Sequence, residues 1–433
     1  MGKDAKNALF IGLAFFATYF GAGNLIFPPM LGLESGSNWL PAIAGLVISG
    51  IALPVIGVIV ISFAGGTVNH ITGPISKNFY SLIVGAIMVF ATFVSVPRTA
   101  AVAAELGVQG ILPQVPYIPI VLIYFALAFY FASNKESVID KIGKILTPAL
   151  TIILVLIVIK GFITPVGTPV QTELADPFVN SFLGGYQTGD VLVSFMMANV
   201  FIGTIIAKGY KSDKERNGMT IKACLVAFVC LFVIYGGLLF LGACGSGLFA
   251  PGIERAELLT NLVRLVGGSV GINGLGIAVV LACLTTAVGQ ISAIADYFVE
   301  LSKDRFNYKI TAVVVSSIGT LLALLGVDNI VAYSTPLFLL MYPTCIVLVI
   351  IGIVRKWMPN AGSYRGAVAL TLAFSALEAI QYTGALPAVD IVINWMPLSA
   401  QGLGWVLPGI VGFVIGTIIY KIKPGKPAEE VAA

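Results

Sequence analysis

Ten consecutive residues near the N-terminus, Phe20-Gly21-Ala22-Gly23-Asn24-Leu25-Ile26-Phe27-Pro28-Pro29, interrupt an apolar run. Glycine weakens a helix interior, and Gly-x-Gly followed by Asn invites local unwinding. Unwound backbone leaves N–H and C=O groups that must find partners in an apolar medium, and a bound ion or zwitterion can supply them. The competing reading is close helix packing through small residues. A second interruption, Gly184-Gly185-Tyr186-Gln187-Thr188-Gly189-Asp190, splits another apolar stretch into a short piece (177–183) and a long one (191–207). Asp190 there either caps the second piece or serves a site directly. A third pattern is Leu281-Ala282-Cys283-Leu284-Thr285-Thr286-Ala287. Two hydroxyls and the carbonyl of Ala282 are hard oxygens of the kind a sodium ion takes. Alternatively, each threonine bonds its own backbone.

Five ionisable residues fall inside apolar segments: Arg98, Glu105, Asp190, Asp296 and Glu378. Charges in such places are costly and are functional suspects. Arg98 and Glu105 are seven residues apart, a spacing that predicts one helix face and one polar network. Asp296 and Glu105 can instead reach water at helix ends, and Glu378 can sit at an interface. His70 lies in a loop with no partner at catalytic spacing, and no catalytic cluster or phosphate-cradling loop is present. An enzyme and a primary pump are therefore not expected.

The elements that carry these residues are set by composition. The 433 residues hold 24 basic and 20 acidic side chains, and 58% are hydrophobic against 10% charged. A soluble domain is about 25% charged. Mean hydropathy is +1.00. The apolar runs are continuous rather than alternating, which predicts an all-α polytopic membrane protein and not a barrel. A net charge of +4 is too small to indicate a nucleic-acid partner. The five cysteines form no CxxC pair, so neither a zinc site nor a disulfide frame is indicated. The start, Met1-Gly2-Lys3-Asp4-Ala5-Lys6, is read as leading into a retained first membrane helix rather than a cleaved signal.

Spanning a bilayer takes about 20 apolar residues. Twelve segments qualify, at roughly 7–31, 39–63, 79–106, 115–133, 142–164, 177–207, 217–244, 270–300, 307–326, 329–354, 364–386 and 402–420. With the N-terminus in the cytoplasm, 20 of the 24 basic residues fall on the cytoplasmic side and three, Lys160, Arg255 and Arg264, fall outside. Both termini are therefore expected in the cytoplasm of a bacterial cell membrane. Interruptions in segments one and six correspond if two five-helix halves are related by inversion, an arrangement that places a site at the midplane. The division expected is 1–165, 166–356 and a C-terminal pair with its tail over 357–433.

The first interruption resembles the first-helix signature of the bacterial branched-chain amino acid:cation symporters (BrnQ-type carriers). Val96-Pro97-Arg98-Thr99, Gly185-Tyr186 with Asp190, and Leu284-Thr285-Thr286-Ala287-Val288-Gly289 are similar to that family too, and the resemblance covers the whole chain. It implies a LeuT-type five-plus-five inverted-repeat fold with two further helices, carrying leucine, isoleucine and valine with co-transported sodium by alternating access. It also implies roles. Backbone N–H groups around Gly21, Ala22 and Gly23 hold the substrate carboxylate. Carbonyls near Ala17 and Phe20, with Ala282, Thr285 and Thr286, form a sodium site. Asn24 serves the substrate or a second ion, and Tyr186, Gln187, Thr188 and Asp190 contribute as a region. Gln187 and Gly189 depart from the usual family pattern. The alternative is a proton-coupled permease with Asp190 or Glu105 as proton carrier. Beyond substrate and lipid no partner is implied, and oligomeric state is left open.

Overall fold

A computed structural model describes residues 2–21, 23–134 and 137–423. The first helix is broken: α1 (Lys3–Tyr19) stops at Phe20 and α2 restarts over Gly23–Ser35. After a tight turn, α3 (Trp39–Val47) passes through a π turn, Ile48–Ala52, into α4 (Leu53–Phe63). Next comes α5 (Phe79–Phe90), a π turn over Ala91–Ser95, α6 (Val96–Val102) and a longer π turn, Ala103–Gln109. Helices α7 (Tyr117–Asn134) and α8 (Ser137–Ile163) follow. The second break separates α9 (Pro177–Tyr186) from α10 (Asp190–Ala207). The chain continues through α11 (Asp213–Cys244), α12 (Arg255–Leu301), α13 (Tyr308–Ala323) and α14 (Val327–Val354), and closes with α15 (Ala361–Thr383) and α16 (Val406–Ile422).

Local chemistry starts these helices where the sequence changes character. Asp176 accepts from the N–H of Val179, with Pro177 opening α9. Ser212 and Glu215 form a reciprocal capping box on α11. Asn307 and Asn360 cap α13 and α15. Gly268 adopts φ 59, ψ −158 and kinks α12 between a short first arm and a long second stretch. Each of the twelve apolar segments falls on a helix or on a broken pair. Among the described residues, six helical stretches are by themselves long and apolar enough to cross a membrane. Large apolar side chains such as Leu82, Ile163, Leu321 and Ile422 remain exposed, as a lipid-facing surface requires and a water-facing one penalises.

Small residues let these helices approach. Glycines 362 and 366 on α15 meet glycines 412 and 416 on α16. A Cβ built at any of the four would come within 2.1 Å of a carbonyl oxygen across the pair. The second helix half is held the same way. A Cβ at Gly32 would lie 1.8 Å from the carbonyl oxygen of Leu239, and one at Gly242 would lie 1.9 Å from that of Pro29. Backbone-to-backbone contact of this kind is the usual packing of membrane helices. All five cysteines are free thiols, four of them buried, in line with the expectation of inert packing residues.

Candidate functional site

The two helix breaks face one small cavity of about 120 Å³. That is below the ~300–1,000 Å³ of pockets for drug-sized molecules and suits a small solute. Gly21, Gly23 and Asn24 from the first break line it, with Thr188, Gly189 and Asp190 from the second. Ala17 and Phe20 of the α1 end and Thr286 of α12 line it as well. Ala22 lies outside the described residues. Pro28 and Pro29 lack the N–H groups that would cap the carbonyls of Asn24 and Leu25 one turn earlier. The break therefore frees acceptors as well as donors.

Asp190 sits at the centre of this arrangement and is fully buried. Its side chain does not cap α10: Gly189, with φ 74, occupies the cap position. Instead the Asn24 amide donates to both carboxyl oxygens at 3.1 Å, and the Tyr235 hydroxyl donates to Oδ2 at 3.0 Å. The same Asn24 amide donates to the Tyr19 carbonyl at 3.0 Å and touches the Tyr235 hydroxyl. The Ser194 hydroxyl, within 2.9 Å of the Tyr19 hydroxyl, ties α10 to α1. Among the described residues, no basic side chain comes within ion-pair distance of Asp190. A buried carboxylate with hydrogen bonds but no counter-charge is an expensive group.

Arg98 of α6 lines the same cavity. Its guanidinium lies 5.4 Å from the ring centres of both Phe27 and Phe338. Nη1 donates to the Gln187 carbonyl at 2.8 Å, and Nη2 donates to Ser334 at 3.0 Å. Beyond this layer a larger vestibule of about 600 Å³ opens, lined by Phe27, Glu34, Gln187, Arg255, Asp328 and Glu378 among others. Arg255 and Asp328 form an ion pair across it.

The structure thus sorts the residues singled out in the sequence. Tyr186 and Gln187 line the vestibule, not the inner cavity. Tyr186 stacks on Tyr342 at 4.3 Å, and the Gln187 amide donates to Thr335 at 2.8 Å. Ala282 and Thr285 do not line the cavity. The hydroxyls of Thr285 and Thr286 both donate to the Ala282 carbonyl at 2.9 Å, the backbone-bonded arrangement. Arg98 and Glu105 do not share one network. The π turn from Ala103 changes the helical phase between them, and the Glu105 carboxylate accepts from the N–H of Val327 at 2.8 Å, at the start of α14. Asp296 is exposed, and Glu378 is buried in the vestibule wall. His70 lies on a short helical turn, Asn69–Thr72, beside Thr67. Sequence reasoning missed Tyr235, Ser334 and Gln290. Gln290, one turn past Thr286, lines the cavity and donates to Ser95 at 2.6 Å. A polar side chain four residues after the threonine pair was the signal available for it.

Two broken helices flanking one cavity give this chain the LeuT fold, and the architecture matches solved members. The inward-facing conformation of Mhp1 aligns with a TM-score of 0.66 at 13% identity, over 98% of this chain and 93% of that one. MhsT in complex with L-phenylalanine aligns with a TM-score of 0.55 at 14% identity, over 98% of both chains. Residues 4–423 match the family described as Branched-chain amino acid transport protein, and the chain belongs to it. Curated relatives include the branched-chain amino acid permease BraB of Bacillus subtilis, 33% identical over 99% of this chain and 98% of that one. The branched-chain amino acid transport system 3 carrier protein of Pseudomonas aeruginosa is 30% identical over 99% of each. The expectation of a membrane transporter rather than an enzyme is borne out.

Proposed function

We propose that this chain imports leucine, isoleucine and valine together with sodium by alternating access. The observation that carries the reading is Asp190: a fully buried carboxylate, without a basic partner among the described residues, on a cavity flanked by two helix breaks. A substrate ammonium group supplies the missing counter-charge. Freed carbonyls around Asn24 and the N–H groups of Gly21 and Gly23 complete a polar cradle, and Ile87, Val94 and Leu192 give an apolar end for the side chain. Such a pocket distinguishes one methylene by only about 1–3 kcal/mol, so the three substrates compete.

Sodium is assigned to the junction of α1 and α12, where Ala17, Phe20 and Thr286 line the same cavity. Turning the Thr285 and Thr286 hydroxyls away from Ala282 releases that carbonyl too. An ion joining these helices biases one conformation and thereby couples to substrate. The N-terminus is placed in the cytoplasm, which puts the vestibule outside. Residues 1–165 and 166–356 are assigned as the inverted halves, each led by its broken helix.

Uptake into vesicles tests the coupling. A sodium gradient without a pH gradient is expected to drive leucine accumulation. Thr286→Ala is expected to raise the half-saturating sodium concentration about tenfold, the worth of one lost ligand contact. The second reading, a proton-coupled permease, is favoured by the same uncompensated Asp190 as a proton carrier. Accumulation driven by a pH gradient alone, indifferent to Thr286→Ala, would establish it.

A further inference from the structure

Arg98 is 5% exposed and has no acidic partner within ion-pair distance among the described residues. It lines the same small cavity as Asp190. One cavity is therefore walled by one buried positive and one buried negative group, neither within ion-pair distance of an opposite charge among the described residues. Free amino acids carry that same pair of charges. Arginine has five N–H donors in a planar fork. Only Gln187 and Ser334 are engaged, and Nε has no hydrogen-bond partner. The aromatic rings of Phe27 and Phe338 lie against the guanidinium and leave donors on its edge free. Nη1 also lies close to the start of α2: a Cβ built on Gly23 would meet it at 3.1 Å. A carboxylate received by the N–H groups at that helix end would lie beside the guanidinium.

We propose that Arg98 anchors the substrate carboxylate, so that the cavity selects α-amino acid zwitterions by reading both charged groups. Charge-assisted, forked recognition by arginine is the strongest carboxylate contact a side chain offers. The requirement extends the assignment of Asp190 to the ammonium group and rests on it. An amine without a carboxylate leaves Arg98 uncompensated and meets its repulsion. An acid without an amine does the same at Asp190.

The test is competition against labelled leucine on the purified full-length carrier in saturating sodium, using leucine, leucine amide, 3-methylbutylamine and 4-methylpentanoate. On the wild type, leucine amide is expected to compete at least about 10-fold more weakly than leucine. In Arg98→Gln, leucine is expected to weaken about 10- to 100-fold, while the amide and the amine hold or improve, so that their ratio to leucine collapses. Arg98→Lys, which keeps charge but loses the fork, is expected to fall between. If the amide rivals leucine on the wild type, or if Arg98→Gln weakens leucine and amide by the same factor, Arg98 is structural and the proposal is overturned. Where Arg98→Gln does not fold, the leucine-to-amide ratio of Arg98→Lys against that of the wild type decides: an unchanged ratio overturns the proposal. Absence of any leucine binding to the wild type would instead remove the transport assignment on which it rests.

Discussion

Leucine uptake by Asp190→Asn is expected to fall by at least about 100-fold, with the folded carrier still present in the membrane. Removing one member of a buried charge pair costs about 3–5 kcal/mol, and under the proposed assignment the partner removed is the one that meets the substrate ammonium. The substitution keeps shape and an acceptor oxygen, so Asn24 and Tyr235 retain a partner. Stability in detergent is expected to hold or rise, because an uncompensated buried charge is gone. Initial uptake rate, thermal unfolding and leucine–leucine exchange together read the result. Full accumulation by Asp190→Asn at unchanged sodium dependence would sink the ammonium assignment. Exchange that survives while pH-driven accumulation is lost would mark Asp190 as a proton carrier.

Gly242→Val is expected to remove most of the folded carrier from the membrane. Its Cβ would lie 1.9 Å from the Pro29 carbonyl oxygen, and a neighbouring backbone cannot rotate aside as a side chain can. The α2 half of the broken helix must move off α11, and with it the alignment of Asn24 against Tyr235. Gly236→Ala on the same helix is the control. The nearest atom there is Ile43 Cδ1 at 3.8 Å, and a change within about 0.5 kcal/mol is expected. Size-exclusion profiles of the detergent-extracted variants separate the two. Equal yields would show that this contact does not pin the half-helix.

The helical frame was legible because each segment announces itself by length and hydropathy alone. Both breaks were legible because glycine, asparagine and proline interrupt otherwise uniform runs. The contacts between segments were not. Tyr235 reads as one more bulky residue in the run Phe232–Leu238, and only the packing of α11 on α1 and α2 turns its hydroxyl onto Asp190. Arg98 stood out by charge, yet its partners, a carbonyl in the second break and a serine on α14, share no spacing with it in the chain. Seven-residue spacing placed Arg98 and Glu105 together because it assumes a regular helix. The π turn at Ala103–Gln109 is not visible in residue types, and it gives them separate partners.

The opposed charges of Asp190 and Arg98 line one cavity and cancel. A zwitterion adds nothing to that sum, so the loaded and empty binding sites differ only by the charge of the cation carried. Electrically, the amino acid is then a silent passenger. A transmembrane voltage acts on each cycle through the ion alone, at about 2.3 kcal/mol per elementary charge for every 100 mV. Under the proposed coupling, transport is expected to be electrogenic, with one positive charge moving for each sodium whichever zwitterion is carried, a current that voltage-clamped proteoliposomes would read.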